Sequence, residues 1–70
     1  MEYKIIKKLG ILEGEPEGYR IEMNIICWGE DGAPKLDIRK WQPNGRPSRG
    51  LCLGEEGLKA LKDRIKDVTL

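Results

Sequence analysis

The chain has 70 residues, with 13 Lys and Arg against 12 Asp and Glu, two cysteines, no histidine and a formal net charge of +1. That length allows one domain, residues 1–70, burying only roughly 60% of the surface its unfolded form would expose, so support from a disulfide, a metal or a second copy is expected. Two thiols without histidine make no zinc-finger ligand set, no apolar run reaches the ~20 residues of a membrane helix, and the charged start Met1-Glu-Tyr-Lys is no signal segment.

The expected setting is therefore the cytoplasm, with nucleoid association left open, where cysteines stay reduced. No metal and no cofactor is expected. Pairing with a second copy is the remaining support, and a homodimer is the expected state.

Tyr3 to Leu12 is rich in β-branched and apolar residues and reads as a strand. Adjacent pairs Ile5-Ile6 and Ile11-Leu12 break its alternation, and a bulge near Gly10 would reconcile the two halves. Glu13 to Gly18 reads as a turn by its Gly and Pro content. Tyr19 to Trp28 alternates well: Tyr19, Ile21, Met23, Ile25 and Cys27 share one face and are expected to meet the core. Arg20, Glu22, Asn24, Ile26 and Trp28 fall on the other face. Gly29 to Pro34 is a loop.

Lys35 to Trp41 is the third strand, with Leu36 and Ile38 toward the core and Lys35, Asp37, Arg39 and Trp41 opposite. Pro43-Asn-Gly45 supplies turn chemistry. Ser48 to Leu53 is a short fourth strand, in which Leu51 and Leu53 share a face and Cys52 points away. Glu55 to Val68 reads as one helix, capped by Gly54, with acids in its first turn where the dipole favours them. Leu58, Leu61, Ile65 and Val68 form its apolar stripe. Part of that stripe is expected to cover the Leu36/Ile38/Leu51/Leu53 face, and its heptad-like spacing also suits pairing with a second copy. The expected fold is α+β: a four-stranded antiparallel meander followed by one C-terminal helix.

The near-neutral total conceals an uneven spread. Residues 1–32 carry −3, residues 33–53 carry +4 and residues 54–70 carry zero. The positive segment is a localised electrostatic footprint. Catalysis is not expected, because there is no His, no nucleophile–base pair, no carboxylate pair in a predicted cleft and no Gly-rich phosphate loop before a helix.

The face of the central strands away from the helix is the informative one. Alternation puts Arg20, Asn24 and Trp28 on it from one strand, and Lys35, Arg39 and Trp41 from the next. Arg46 and Arg49 follow in the same basic stretch. Two indoles interleaved with cations match the physics of single-stranded nucleic acid binding, where bases stack on aromatic faces and phosphates track cations. RNA in place of DNA is one alternative, and a protein-interaction module that docks a partner on the tryptophans is another. Cys27 and Cys52 fall on opposite faces, which argues against a disulfide. No small-molecule substrate and no membrane partner is expected.

Asp37-Ile-Arg-Lys-Trp41, a polar turn, Arg49-Gly-Leu-Cys-Leu53 and an acidic helix start resemble the positive cofactor four family of single-stranded-DNA-binding transcriptional coactivators. The nearer likeness is to its bacterial YdbC-like branch, where Trp ends the second strand and Pro-Lys opens the third. The resemblance spans roughly residues 19–65. It implies a homodimer of curved four-stranded sheets whose C-terminal helices pair through Leu58, Leu61, Ile65 and Val68. Single-stranded DNA would lie over the sheets with little sequence preference, serving transcription regulation, replication or repair. By motif position Arg39 would contact backbone, Trp28 and Trp41 would stack, and Arg49 would hold a phosphate. The chain departs from the human-type pattern at Gln42, which stands where a second aromatic follows the first, and at Leu51-Cys-Leu53 in place of Ile-Ser-Leu.

Overall fold

The computed structural model describes residues 2–70. Four strands, β1 (Tyr3–Gly14), β2 (Arg20–Trp28), β3 (Lys35–Trp41) and β4 (Pro47–Leu53), are followed by one helix, α1 (Glu55–Ile65). The strands pair antiparallel in the order β1-β2-β3-β4, the meander expected. Among the described residues no helix is long and apolar enough to cross a membrane.

The β2–β3 ladder runs from Arg20 opposite Trp41 to Ile26 opposite Lys35 without interruption. Its regular alternation is why the bounds of β3 were readable. The β3–β4 turn also forms as its residues dictate. Gly45 N donates to the Gln42 carbonyl and Gln42 N to the Arg46 carbonyl, both at 2.9 Å, with Asn44 Oδ1 accepting from Arg46 N.

Strand β1 is longer and more irregular than expected. Three register shifts interrupt it, between Ile5 and Lys7, Lys8 and Gly10, and Ile11 and Glu13. Gly10, at the middle one, has φ +131°, a conformation that a Cβ disfavours. The shifts accumulate. Gly14 pairs with Arg20 at the turn, but at the far end Tyr3, rather than Ile6, lies opposite Trp28.

Helix α1 ends at Ile65, three residues before the expected Val68. Asp67 N and Val68 N bond to the Arg64 and Ile65 carbonyls, a tightened last turn that satisfies carbonyls without continuing the helix. The β-branched pair Val68-Thr69 is poorly suited to prolong it. Val68 therefore lies outside the helix and is not part of its stripe.

The core sits on the unexpected face. Asn24, Ile26, Asp37 and Trp41, all on the side away from α1, are buried. On the α1 side only Leu36 is buried among the described residues, while Ile21, Met23, Ile25, Ile38 and Leu53 are partly covered and Leu51 is exposed. Curvature is the reason. Tyr3 pairs with Trp28 yet also touches Trp41, which pairs with Arg20 at the other end of β2. In a flat sheet eight residues of strand would hold these ends ~26 Å apart. The sheet curls, and its aromatic side chains close the concave side on themselves.

Helix α1 buries none of its residues. It leaves β4 at Leu53, whose side chain meets Gly57, and stands away from the rest of the sheet. Between helix and sheet is an apolar groove of about 560 Å³, walled by Leu9, Leu12, Met23 and Ile38 on one side and Leu58, Leu61 and Ile65 on the other.

Candidate nucleic-acid interface

Asp37 and Arg39 are two apart on β3 and so share the concave face. Asp37 is fully buried, and the Arg39 guanidinium grips its carboxylate, with Nε 2.8 Å from Oδ2 and Nη2 2.7 Å from Oδ1. Arg39 Nη1 donates to the Ser48 carbonyl at 3.0 Å, which ties β3 to β4. Cys52, opposite Asp37 in the β3–β4 register, donates its thiol to Asp37 Oδ1 at 2.9 Å. The guanidinium carbon also lies 4.7 Å from the Trp28 ring centroid, within cation–π range.

Burial pushes the Asp37 carboxyl up, but the Arg39 hydrogen bonds, the Cys52 thiol and the Arg39 charge together outweigh it and hold the group below its ordinary value. The Trp28 indole N–H adds to this from nearby, although no hydrogen bond of sound geometry joins it to the carboxylate. The carboxylate in turn raises Arg39 further above its usual value.

Gly50 makes the close approach of β4 possible. A Cβ there would collide with Arg39 Cβ and with the Ile38 carbonyl. The glycine before Leu51-Cys-Leu53 thus has a steric cause.

A second ion pair closes the other end of the face. Arg20 Nε binds Glu22 Oε2, and its Nη1 reaches the carbonyls of Gly18 at 3.1 Å and Gln42 at 3.4 Å. Glu22 also accepts from Asn24 Nδ2 at 3.3 Å. Asn24 is 1% exposed, and among the described residues its Oδ1 has no hydrogen-bond partner, nor do the indole nitrogens of Trp28 and Trp41.

The aromatic side chains form one cluster. The Tyr3 ring stands 5.2 Å from that of Trp28 and 5.8 Å, edge-on, from that of Trp41. Trp41 is 3% exposed, so its indole is not the open platform expected of it. It serves as core because the curled sheet brings Tyr3 across it. Trp28 is half-buried between Tyr3 and Arg39.

Of the eight residues expected at the interface, the structure gathers Arg20, Asn24, Trp28, Arg39 and Trp41 on the concave face. It uses Arg20 and Arg39 to neutralise Glu22 and Asp37. Lys35, Arg46 and Arg49 are exposed around the rim, and among the described residues none of them lies within 4.0 Å of a carboxylate. Two participants were not anticipated. Tyr3 was hidden by the slippage along β1. Cys52 could have been found from its shared side with Asp37 across β3 and β4. Both cysteines are free thiols.

No protein-family model matches this chain, and no curated protein matches it significantly.

Proposed function

We propose that the protein binds single-stranded nucleic acid, DNA foremost, without strong sequence preference and without catalysis. The observation that carries this reading is the charge balance around the aromatic face. Both acids on that face, Glu22 and Asp37, are paired inward with arginines. Its rim keeps Lys35, Arg46 and Arg49 exposed and uncompensated among the described residues. A strand whose phosphates follow those cations would bring bases to the accessible part of Trp28. The positive-cofactor-four-like motif Asp37-Ile-Arg-Lys-Trp41 with Arg49-Gly-Leu-Cys-Leu53 supports the same ligand and a role in transcription, replication or repair. In this reading Arg39 orients Trp28 rather than holding a phosphate, and Trp41 shapes the face from beneath.

The same reading includes a homodimer in the cytoplasm. An apolar groove of about 560 Å³ and exposed Leu9, Leu12 and Ile65 beside it leave a large unpaired apolar surface on a very small chain. A second copy, offering its own Leu58, Leu61 and Ile65, would cover it.

Titrating tryptophan fluorescence with oligo-dT, oligo-rU and duplex DNA tests the proposal. Quenching by dT that weakens steeply with salt is expected, because released counterions dominate such binding. Quenching by duplex alone, or a flat salt response, would refute it. Tight binding of rU but not dT would select the RNA alternative.

A further inference from the structure

Tyr19 is the most exposed aromatic residue of the chain, at 59%. It stands just ahead of β2, and its backbone is fixed by the bond from Glu15 N to its carbonyl at 3.1 Å. The Lys40 ammonium lies over its ring, 5.0 Å from the centroid. Lys40 pairs with Ile21 on β2, so this spot is at the end of β3 away from Leu36, and by alternation on the side opposite Trp41. On β4, Ser48 and Arg49 together stand opposite Lys40 alone, because the register shifts between Arg39 and Trp41. A bulge therefore sets Arg49, one of the exposed rim cations, opposite Lys40 along the backbone. Neither Lys40 nor Arg49 has a carboxylate within 4.0 Å among the described residues. A shallow depression of about 210 Å³, lined by Glu13, Gly14, Tyr19, Arg20, Ile21 and Lys40, adjoins the ring.

We propose that Tyr19, Lys40 and Arg49 form a second nucleotide subsite, taking one unpaired base on the tyrosine ring and its phosphate between the two cations. This rests on the single-strand reading above and extends it around the end of the sheet. Chemistry distinguishes the subsite from the tryptophan cluster. There the rings pack tilted and edge-on around Tyr3, and both arginines are ion-paired. Here one aromatic face carries a cation and the residue is more than half exposed, which leaves ring surface on which a base can stack. Glu13 borders the depression and directs the phosphate toward the Lys40–Arg49 side by repulsion. The ligand chemistry, an unpaired base with its phosphate, is common to DNA and RNA.

The test uses the intact chain and the tryptophan signal, which Tyr19 does not supply. Oligo-dT and oligo-rU are titrated into wild type, Tyr19→Leu, Tyr19→Trp and Lys40→Gln after confirming equal urea midpoints. Tyr19→Leu keeps bulk but removes the π face, and about a ten-fold loss of affinity is expected. Tyr19→Trp should bind at least as tightly as wild type, and Lys40→Gln should weaken binding and flatten its salt slope by about one phosphate. Tyr19→Leu within two-fold of a wild type that does bind overturns the subsite and leaves the function standing. So does Tyr19→Trp losing as much as Tyr19→Leu. A wild type that neither oligonucleotide quenches fails the underlying function before any variant is made.

Discussion

Asp37→Asn tests whether the buried ion pair is what organises the concave face. The carboxylate accepts Arg39 Nε, Arg39 Nη2 and the Cys52 thiol, and it is wholly buried, with Arg39 nearly so. An asparagine turns an amide N–H₂ toward donors and removes the counter-charge. Breaking a buried pair by removing one partner costs ~3–5 kcal/mol. Some residual solvent access of Arg39 favours the lower figure, ~3 kcal/mol. With a urea slope of ~1 kcal/mol/M for so small a chain, the midpoint should fall by about 3 M. Wild type, Asp37→Asn, Arg39→Met and the double variant would be unfolded in urea at one protein concentration, since association adds to apparent stability. The double variant should be less destabilised than the two single losses added together, because it leaves no orphaned charge. The pH dependence has a definite sign. The folded carboxyl titrates below its unfolded value, so its contribution is complete above about pH 5 and fades as pH falls through the folded value. The gap between wild type and Asp37→Asn should be constant from pH 5 to 8 and narrow below pH 4. A gap under ~0.5 kcal/mol at pH 7, or an additive cycle, would refute the argument.

Four further outcomes follow from the same geometry. Trp41→Ala should cost ~3–5 kcal/mol of stability by urea unfolding, because it empties a core site rather than trimming a surface. Gly50→Ala should cost ~1–3 kcal/mol or more, since the added carbon meets β3 backbone and Arg39, and wild-type stability would show that β4 can move away. Lys35→Gln with Arg46→Gln and Arg49→Gln should leave stability within ~0.5 kcal/mol while lowering dT affinity and reducing the salt slope by about three phosphates. Leu61→Lys places a charge in the apolar groove, and the proposed pairing predicts a dimeric wild type and a monomeric variant by sedimentation velocity.

The fold was legible wherever alternation ran unbroken. Within β2 and within β3 each residue's face followed from counting by two, and the turn at Pro43-Asn-Gly45 announced itself by residue type. Strand β1 resisted the same reading because each bulge swaps faces, and three successive slips cannot be counted from composition. The pairing of Tyr3 with Trp28 therefore emerged only in three dimensions. Alternation had a second blind spot. It tells which side chains share a face, but not which face closes. Ile21, Met23 and Ile25 are more apolar than the Asn24, Asp37 and Arg39 side, yet the latter is the buried one. Curvature and an ion pair decided this, and both depend on strands far apart in sequence. Arg20, Asn24, Trp28, Arg39 and Trp41 were accordingly grouped on one face, while the buried state of Trp41 and the pairing of Arg20 and Arg39 were not foreseen.

The three bulges of β1 have a consequence for how copies of this chain can meet. β1 and β4 are the two sheet edges, and each could in principle template a strand from another molecule. Along β1 the slips break the row of unpaired N–H and C=O groups, and Lys4, Lys7 and Lys8 add like charges that repel a second edge. Along β4, Pro47 removes a donor and the bulge opposite Lys40 bends the strand. Growth of a continuous intermolecular sheet, and with it fibrous aggregation, is opposed at both ends. The proposed pairing would then form on the apolar side, and association there would end once that surface is covered.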